Sequence, residues 1–364
     1  IWKETKTGFL HNDRIYPFSS PVDLLRFTPV SLIDRVRMGL VSFYLQRVKN
    51  WRKFEGITAS RYIRRWAGRR NYEVIWEPLL KGKFSIYHDQ VAMPWLWSKF
   101  ATRVASRDRS FKERLGYIRG SWGVLIDELE HRIKEMGGET HTGTSVSRIL
   151  TDGGRVSGLA IDNHDGQKEE RPFDLVIATI PGFLLPNLVD LPEEYVSKLR
   201  DVDYEGAIAV IWVLNRSLSP VYWLNIGDAD IPFLLVLEQT KLVPPGEYGG
   251  KHIVYTADYV TRDDPRWAMD TEDIVRDYMA HMKKINPEFD ETWVEEYHLH
   301  KEPAAQPVIK VNYSERIPST RTPVDGLWLA TMSQVYPEDR GTNYSIRLGI
   351  QVAREAVAEV EQKS

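Results

Sequence analysis

The residue types best placed for chemistry lie near the C-terminus. Leu327-Trp328-Leu329-Ala330 reads as a short buried strand running into Thr331-Met332 and a polar loop, and Thr342–Ala358 has helical periodicity. A strand end beside a helix N-terminus offers backbone N–H groups and a positive dipole to an anionic or electron-rich ligand edge. The word between them, Tyr336 to Tyr344 (YPEDRGTNY), is densely polar. Arg340, and Arg119 far upstream, are the cations that could meet negative charge. Gln306 and Tyr344 are the candidates for touching substrate, with Asn343 beside the latter. Together they spell no obligatory acid–base pair. A solvated capping loop is the competing reading of the same word.

Other chemistries are excluded or poorly supported. The chain of 364 residues has no cysteine, so disulfides, thiolate zinc sites and a cysteine nucleophile are ruled out. His298 and His300 share one face of a predicted strand but have no third ligand of sensible spacing, so no metal site is expected. No G-x-S-x-G elbow supports a serine hydrolase. Gly246–Lys251 (GEYGGK) is neither a P-loop nor a dinucleotide fingerprint. A net charge of −3 gives no general attraction to nucleic acid, although a local basic patch is compatible with it. No signal peptide is visible and no apolar run nears the roughly 20 residues that span a bilayer. The expectation is a cytoplasmic protein acting on a small molecule, with twelve tryptophans compatible with a bulky or apolar one.

The elements that must position these residues follow from periodicity. Gly8–Leu10 and Arg14–Phe18 flank a turn at His11-Asn12-Asp13. Ser31 caps a helix through Leu32, Ile33, Val36, Leu40, Phe43 and Tyr44, with arginines interspersed. That helix reads as core-facing, with peripheral membrane contact as the second reading. Helices over 57–66, 71–79 and 94–105 follow. Val124, Leu125, Leu129, Ile133 and Met136 give the next helix one apolar face, and Gly137-Gly138 stops it. A strand around 139–142, a hairpin over 146–161 turning at Thr-Asp-Gly-Gly, and a strand at 174–179 come next. Strands are expected over 204–215, 233–237, 252–259, 293–300 and 307–313, with a helix over 271–284 capped by Asp270.

In this order, the words resemble the flavin-containing amine oxidase superfamily, which includes protoporphyrinogen oxidases and phytoene desaturases. The residues that carry the resemblance are Gly120, Gly123, Gly137, Gly138, Thr144, Val146, Ile149, Asp174, Val176–Thr179 and Pro181, then Trp76–Leu80 with Gly82, and Gly326–Ala330. The resemblance implies an α/β (α+β) fold, with an incomplete FAD-binding Rossmann-like domain interleaved with a substrate domain of mixed sheet and helices. The FAD-domain pieces would be 112–192 and 323–364, and the substrate-domain pieces 1–111 and 193–322. It implies FAD as cofactor, contacted by Val146, Thr179, Pro181, Ala330, Thr331, Met332, Arg340, Gly341, Thr342, Asn343 and Tyr344.

Two departures stand out. The family's Gly-Asp after the last strand is replaced by Thr331-Met332, which removes an acidic flavin contact and leaves Ser333 and Gln334 as substitutes. The G-x-G-x-x-G turn that seats the FAD pyrophosphate is absent, so the chain reads as an N-terminally truncated enzyme. The activity implied is hydride removal from an organic substrate by FAD. A non-redox flavoenzyme similar to UDP-galactopyranose mutase and a non-catalytic scaffold are the rivals.

Overall fold

Short strands open the chain. β2 (Thr7–His11) and β3 (Arg14–Pro17) appear where expected, preceded by an unexpected β1 (Trp2–Glu4), and Asn12 and Asp13 turn β2 into β3 at positive φ. Ser20, Ser31 and Thr58 cap α1 (Pro21–Arg26), α2 (Leu32–Arg47) and α3 (Ala59–Trp66), each side chain accepting from the backbone N–H three residues on. α4 (Arg69–Asn71) and a π turn at Tyr72–Trp76 lead into α5 (Glu77–Phe84). Pro94 lies in the first turn of α6 (Met93–Ala105), and buried Trp95 meets Phe84 edge-on at 4.8 Å. β4 (Arg114–Gly116) pairs with β1.

α7 (Gly123–Glu135) stops at the expected glycines: Gly137 takes φ 82°, and the Gly138 N–H donates to the Ile133 carbonyl at 2.8 Å. The strand expected over 139–142 does not form; there Thr140 and His141 bond through their side chains to Glu130 and Glu139. β5 (Ser145–Asp152), β6 (Arg155–Asp162) and β7 (Lys168–Pro172) make an antiparallel meander. Gly153 and Gly154 both adopt positive φ, as a two-residue hairpin turn with matching twist requires. Then come β8 (Val176–Ala178), α8 (Glu193–Arg200), β9 (Tyr204–Leu214), β10 (Trp223–Ile226), β11 (Leu235–Glu238) and β12 (His252–Val260). α9 (Thr271–Ala280), α10 (Met282–Ile285), β13 (Val294–Pro307), β14 (Leu327–Leu329) and α11 (Thr342–Lys363) complete the chain.

The computed structural model describes residues 1–105, 114–163 and 166–363. They divide into two units, Ile1–Tyr117 with Tyr204–Asn312, and Ile118–Asp203 with Tyr313–Ser364. In the first, a seven-stranded sheet has the order β13-β9-β12-β11-β10-β2-β3, antiparallel except for β10 beside β2. Its core holds Trp212, Phe233 and, from α9, Tyr278; the Trp212 indole donates to Thr256 Oγ1 at 2.8 Å. Asp258 on β12 faces Arg266 at 2.8 Å, and Arg266 also bonds both oxygens of Asp264. The Lys301 ammonium on β13 is seated on the carbonyls of Arg266, Trp267 and Met269 at 2.9, 3.2 and 2.8 Å.

Two expectations are corrected by the structure, and one strand was not expected at all: β10, four residues long, is too short for its alternation to be read. The strand expected at 293–300 runs on to Pro307 as β13, with a register irregularity between Glu302 and Gln306 where Pro303 cannot donate, and the strand expected at 307–313 does not form beyond Pro307. Asp270 stands at the N-cap of α9 without a side-chain cap bond.

In the second unit, β14 pairs in parallel with β8 through Leu327–Leu329 and Val176–Ala178. Leu185, Leu199, Leu327 and Leu329 share one core cluster, and Trp328 packs with Val352 and Ala356 of α11. Crossings between units fall at 117/118, 203/204 and 312/313, in place of 111/112, 192/193 and 322/323. α8 goes with this unit because Tyr195 and Leu199 join its core and the Tyr195 hydroxyl donates to the Ser319 carbonyl.

Candidate functional site

The ladder of β8 and β14 extends one step past β14, with the Ala330 N–H donating to the Ala178 carbonyl at 2.9 Å. Thr179 and Pro181 therefore leave β8 where Thr331 leaves β14. The 3-10 turn Met332–Gln334 follows at once and is closed by a capping box: Thr331 accepts from the Gln334 N–H, and Gln334 Oε1 accepts from the Thr331 N–H at 2.8 Å. The Gln334 amide also donates to the Pro318 carbonyl. This side chain is thus committed to the turn and is a poor substitute for the missing acidic contact. Buried Tyr313 pins the same turn by donating to the Ser333 carbonyl at 2.8 Å, while its ring lies 5.3 Å from that of Tyr336. Tyr313 was expected at the end of a strand; it begins a 3-10 turn, and only its Asn-Tyr-Ser setting, a turn-prone word, hinted at this.

α11 begins where the polar loop ends. The Gly341 carbonyl accepts from Tyr344 and Ser345 at 3.0 Å each, and no acidic side chain occupies the first turn. Ser345 Oγ donates to Met332 Sδ at 2.9 Å, tying the helix start to the end of β14. Burial raises the pKa of Tyr344, and Glu338 raises it further, against Arg347, whose guanidinium lies 4.9 Å from the ring centre. Tyr344 stays protonated near neutral pH, so it is a hydrogen-bond donor there and not a base. Thr331, Met332, Gly341, Thr342, Asn343 and Tyr344 are thus gathered by two elements, with exposed Arg340 in the loop between. Val146 stands apart on β5, half exposed and paired with Ile161. Gln306 belongs to the other unit, buried opposite Glu205 in the β13–β9 ladder, its amide donating to the Pro307 carbonyl. Arg119 is exposed ahead of α7.

His298 lies 3.1 Å from Glu296, and among the described residues no group of three or more His, Asp or Glu could hold a metal ion. The apolar face expected of α7 exists, but among the described residues it is left exposed: Leu129 is 48% and Met136 79% exposed. Ile346, Ile350 and Val357 of α11 are exposed as well.

The family model of the flavin containing amine oxidoreductases matches residues 4–356. The chain belongs to this family. No curated protein matches it in sequence. Among solved structures, it is similar to an oxidoreductase from Methanosarcina mazei, with 18% identity and a TM-score of 0.70 over 97% of this chain and 81% of that one. A protoporphyrinogen oxidase-like protein from Exiguobacterium sp. 255-15 gives 14% identity and a TM-score of 0.70 over 98% and 81%. A reduced UDP-galactopyranose mutase gives 13% and 0.63 over 87% and 70%. At these identities the likeness shows the fold, with the mixed helices and sheets of the flavin oxidoreductases.

A flavin cofactor is what membership in the amine oxidoreductase family implies. The site residues fit one end of such a group. The ladder ends at the small side chain of Ala330, and the first turn of α11, tied to Met332 by Ser345, carries no acid to neutralise its positive dipole. The sequence supplies no glycine-rich turn for a pyrophosphate.

Proposed function

We propose that the chain is the substrate-binding and flavin-contacting part of an FAD-dependent oxidoreductase of the protoporphyrinogen oxidase and amine oxidase type. The observation that carries this reading is the convergence of Ala330–Met332 and the start of α11 in a chain matched by the family over residues 4–356. Ala330, Thr331, Met332 and the first turn of α11 would hold the flavin, with Arg340 opposing negative charge. Bound FAD would supply the acceptor for a hydride taken from an organic substrate. Tyr344, kept protonated, would donate a hydrogen bond. The exposed apolar faces of α7 and α11 support a further point: a strand–turn–helix segment bearing G-x-G-x-x-G completes the FAD seat against them.

The test is an absorbance spectrum of the purified chain, alone and joined to such a segment. Flavin bands are expected in the joined protein. Their absence from both proteins would overturn the flavoprotein reading. Anaerobic addition of candidate amines and porphyrinogens should then bleach the flavin; isomerisation of a sugar nucleotide without net bleaching would transfer the protein to the mutase-like alternative.

A further inference from the structure

Helix α2 is apolar on two sides, and only one side meets the protein. At about 100° per residue, Leu32, Ile33, Val36, Leu40, Phe43 and Tyr44 fall within an arc of about 120°. Met38, Val41 and Leu45 occupy the adjoining arc and are the buried face. The first arc faces solvent: Ile33 is 79%, Leu40 65% and Phe43 54% exposed. Val22 and Leu25 of α1 are exposed too. A surface helix normally gives its apolar stripe to the core and keeps the rest polar. A second, uncovered stripe marks a contact surface.

The charge around the stripe says what covers it. Between Arg26 and Arg70 the sequence carries twelve Lys and Arg against two Asp and Glu, in a chain whose net charge is −3. These cations stand among the exposed apolar groups. The Arg47 guanidinium lies 3.2 Å from the centre of the Phe43 ring, and the Lys53 ammonium donates to the Tyr44 hydroxyl at 2.7 Å. Asp34, one of the two acids, is turned to Ser31 at the N-terminus of α2. Beside the stripe opens a groove of ≈ 610 Å³, with Leu40, Phe54 and Tyr62 on its walls and Arg37 and Lys53 among its lining residues. An apolar slot lined by cations suits an acyl chain below a phosphate. A protein partner would more often meet a rim of mixed sign, and a nucleic acid would leave the exposed aliphatic groups unused. Among the described residues no helix is long and apolar enough to cross a membrane, so the contact is with the surface.

We propose that the α1–α2 face docks onto an anionic lipid bilayer, with the stripe at the acyl boundary and the surrounding cations at the lipid phosphates. This surface stands independently of the flavin reading. The experiment is co-sedimentation of the whole chain with vesicles of phosphatidylcholine, alone or with roughly a third phosphatidylglycerol. Partitioning onto the mixed vesicles is expected to be at least about tenfold stronger and to fall with salt. Ile33→Asp combined with Leu40→Asp should abolish it while leaving the circular dichroism and thermal midpoint unchanged, because both side chains project into solvent. Arg47→Glu with Lys49→Glu should remove the preference for anionic lipid. Protein that stays in the supernatant with both vesicle types, or an Ile33/Leu40 variant that sediments like the parent, would overturn the proposal. So would a self-association that the aspartates dissolve without any lipid binding, which would give the face to a second copy.

Discussion

Asp258 is a buried carboxyl of the first unit that holds its proton unusually tightly. Burial pushes its carboxyl from an ordinary 3.8 up to about 6, against the pull of Arg266. The folded state thus holds this proton more tightly than the unfolded chain does. Its contribution to stability is present below about pH 4 and is lost as pH rises through about 6. Asp258→Asn removes one of the two carboxylates that meet Arg266 at every pH but also removes that slope. The stability of the variant relative to the parent should therefore improve by about 2 kcal/mol between pH 4 and pH 7, read from urea midpoints. A difference that stays flat with pH would mean that Asp258 is ionised throughout. The carboxylates with lowered pKa act with the opposite sign: for Asp264, bonded to Arg266, stability is lost as pH falls into the acid range. None of this was visible in the sequence, where Asp258 is one acid among many; only the fold puts Arg266 against it.

At the scale of elements, the parallel pair β8–β14 depends on one turn. Gly326 enters β14 at φ 76°, and a Cβ there would lie 2.8 Å from the Asp174 carbonyl oxygen. Gly326→Ala should cost about 1–3 kcal/mol through strain and displacement of β8, seen as a lower thermal midpoint. A neutral effect would mean that the pair tolerates a different register. Gly326 was marked in the sequence only by the family resemblance and α1 with its Ser20 cap was missed, whereas the hairpin at Gly153-Gly154 and the Ser31 cap of α2 were legible because turn glycines and capping hydroxyls are strong local signals. Elements whose boundaries depend on partners were not. β10 exists because β2 and β11 flank it, and residues 308–312 fail to continue β13 although their composition is β-like. Periodicity found the stripes of α2 and α7 correctly, but it cannot say whether a stripe meets core or solvent. The candidate site was readable as a strand end and a helix start, whereas the capping box that occupies Gln334 was not.

Across the whole molecule, charge and connectivity are unevenly spread. The segment Arg26–Arg70 is strongly basic while the remainder is acidic, so the small net charge conceals a large separation of sign. Each unit is built from two stretches of chain, so deleting either stretch leaves a sheet or a core without its complement. The seat of Lys301 has a consequence for covalent chemistry. All three ammonium hydrogens point at main-chain oxygens, and an amine can attack an anhydride only after leaving them. Acetylation of the native protein should modify Lys49 and Lys53 early and Lys301 late, with the order erased in denaturant; peptide mass mapping reads it. Lys301 acylating as fast as Lys49 would mean that the Arg266–Met269 loop opens readily. A slow Lys301 would make it a resident reporter of that loop, signalling local opening without any introduced label.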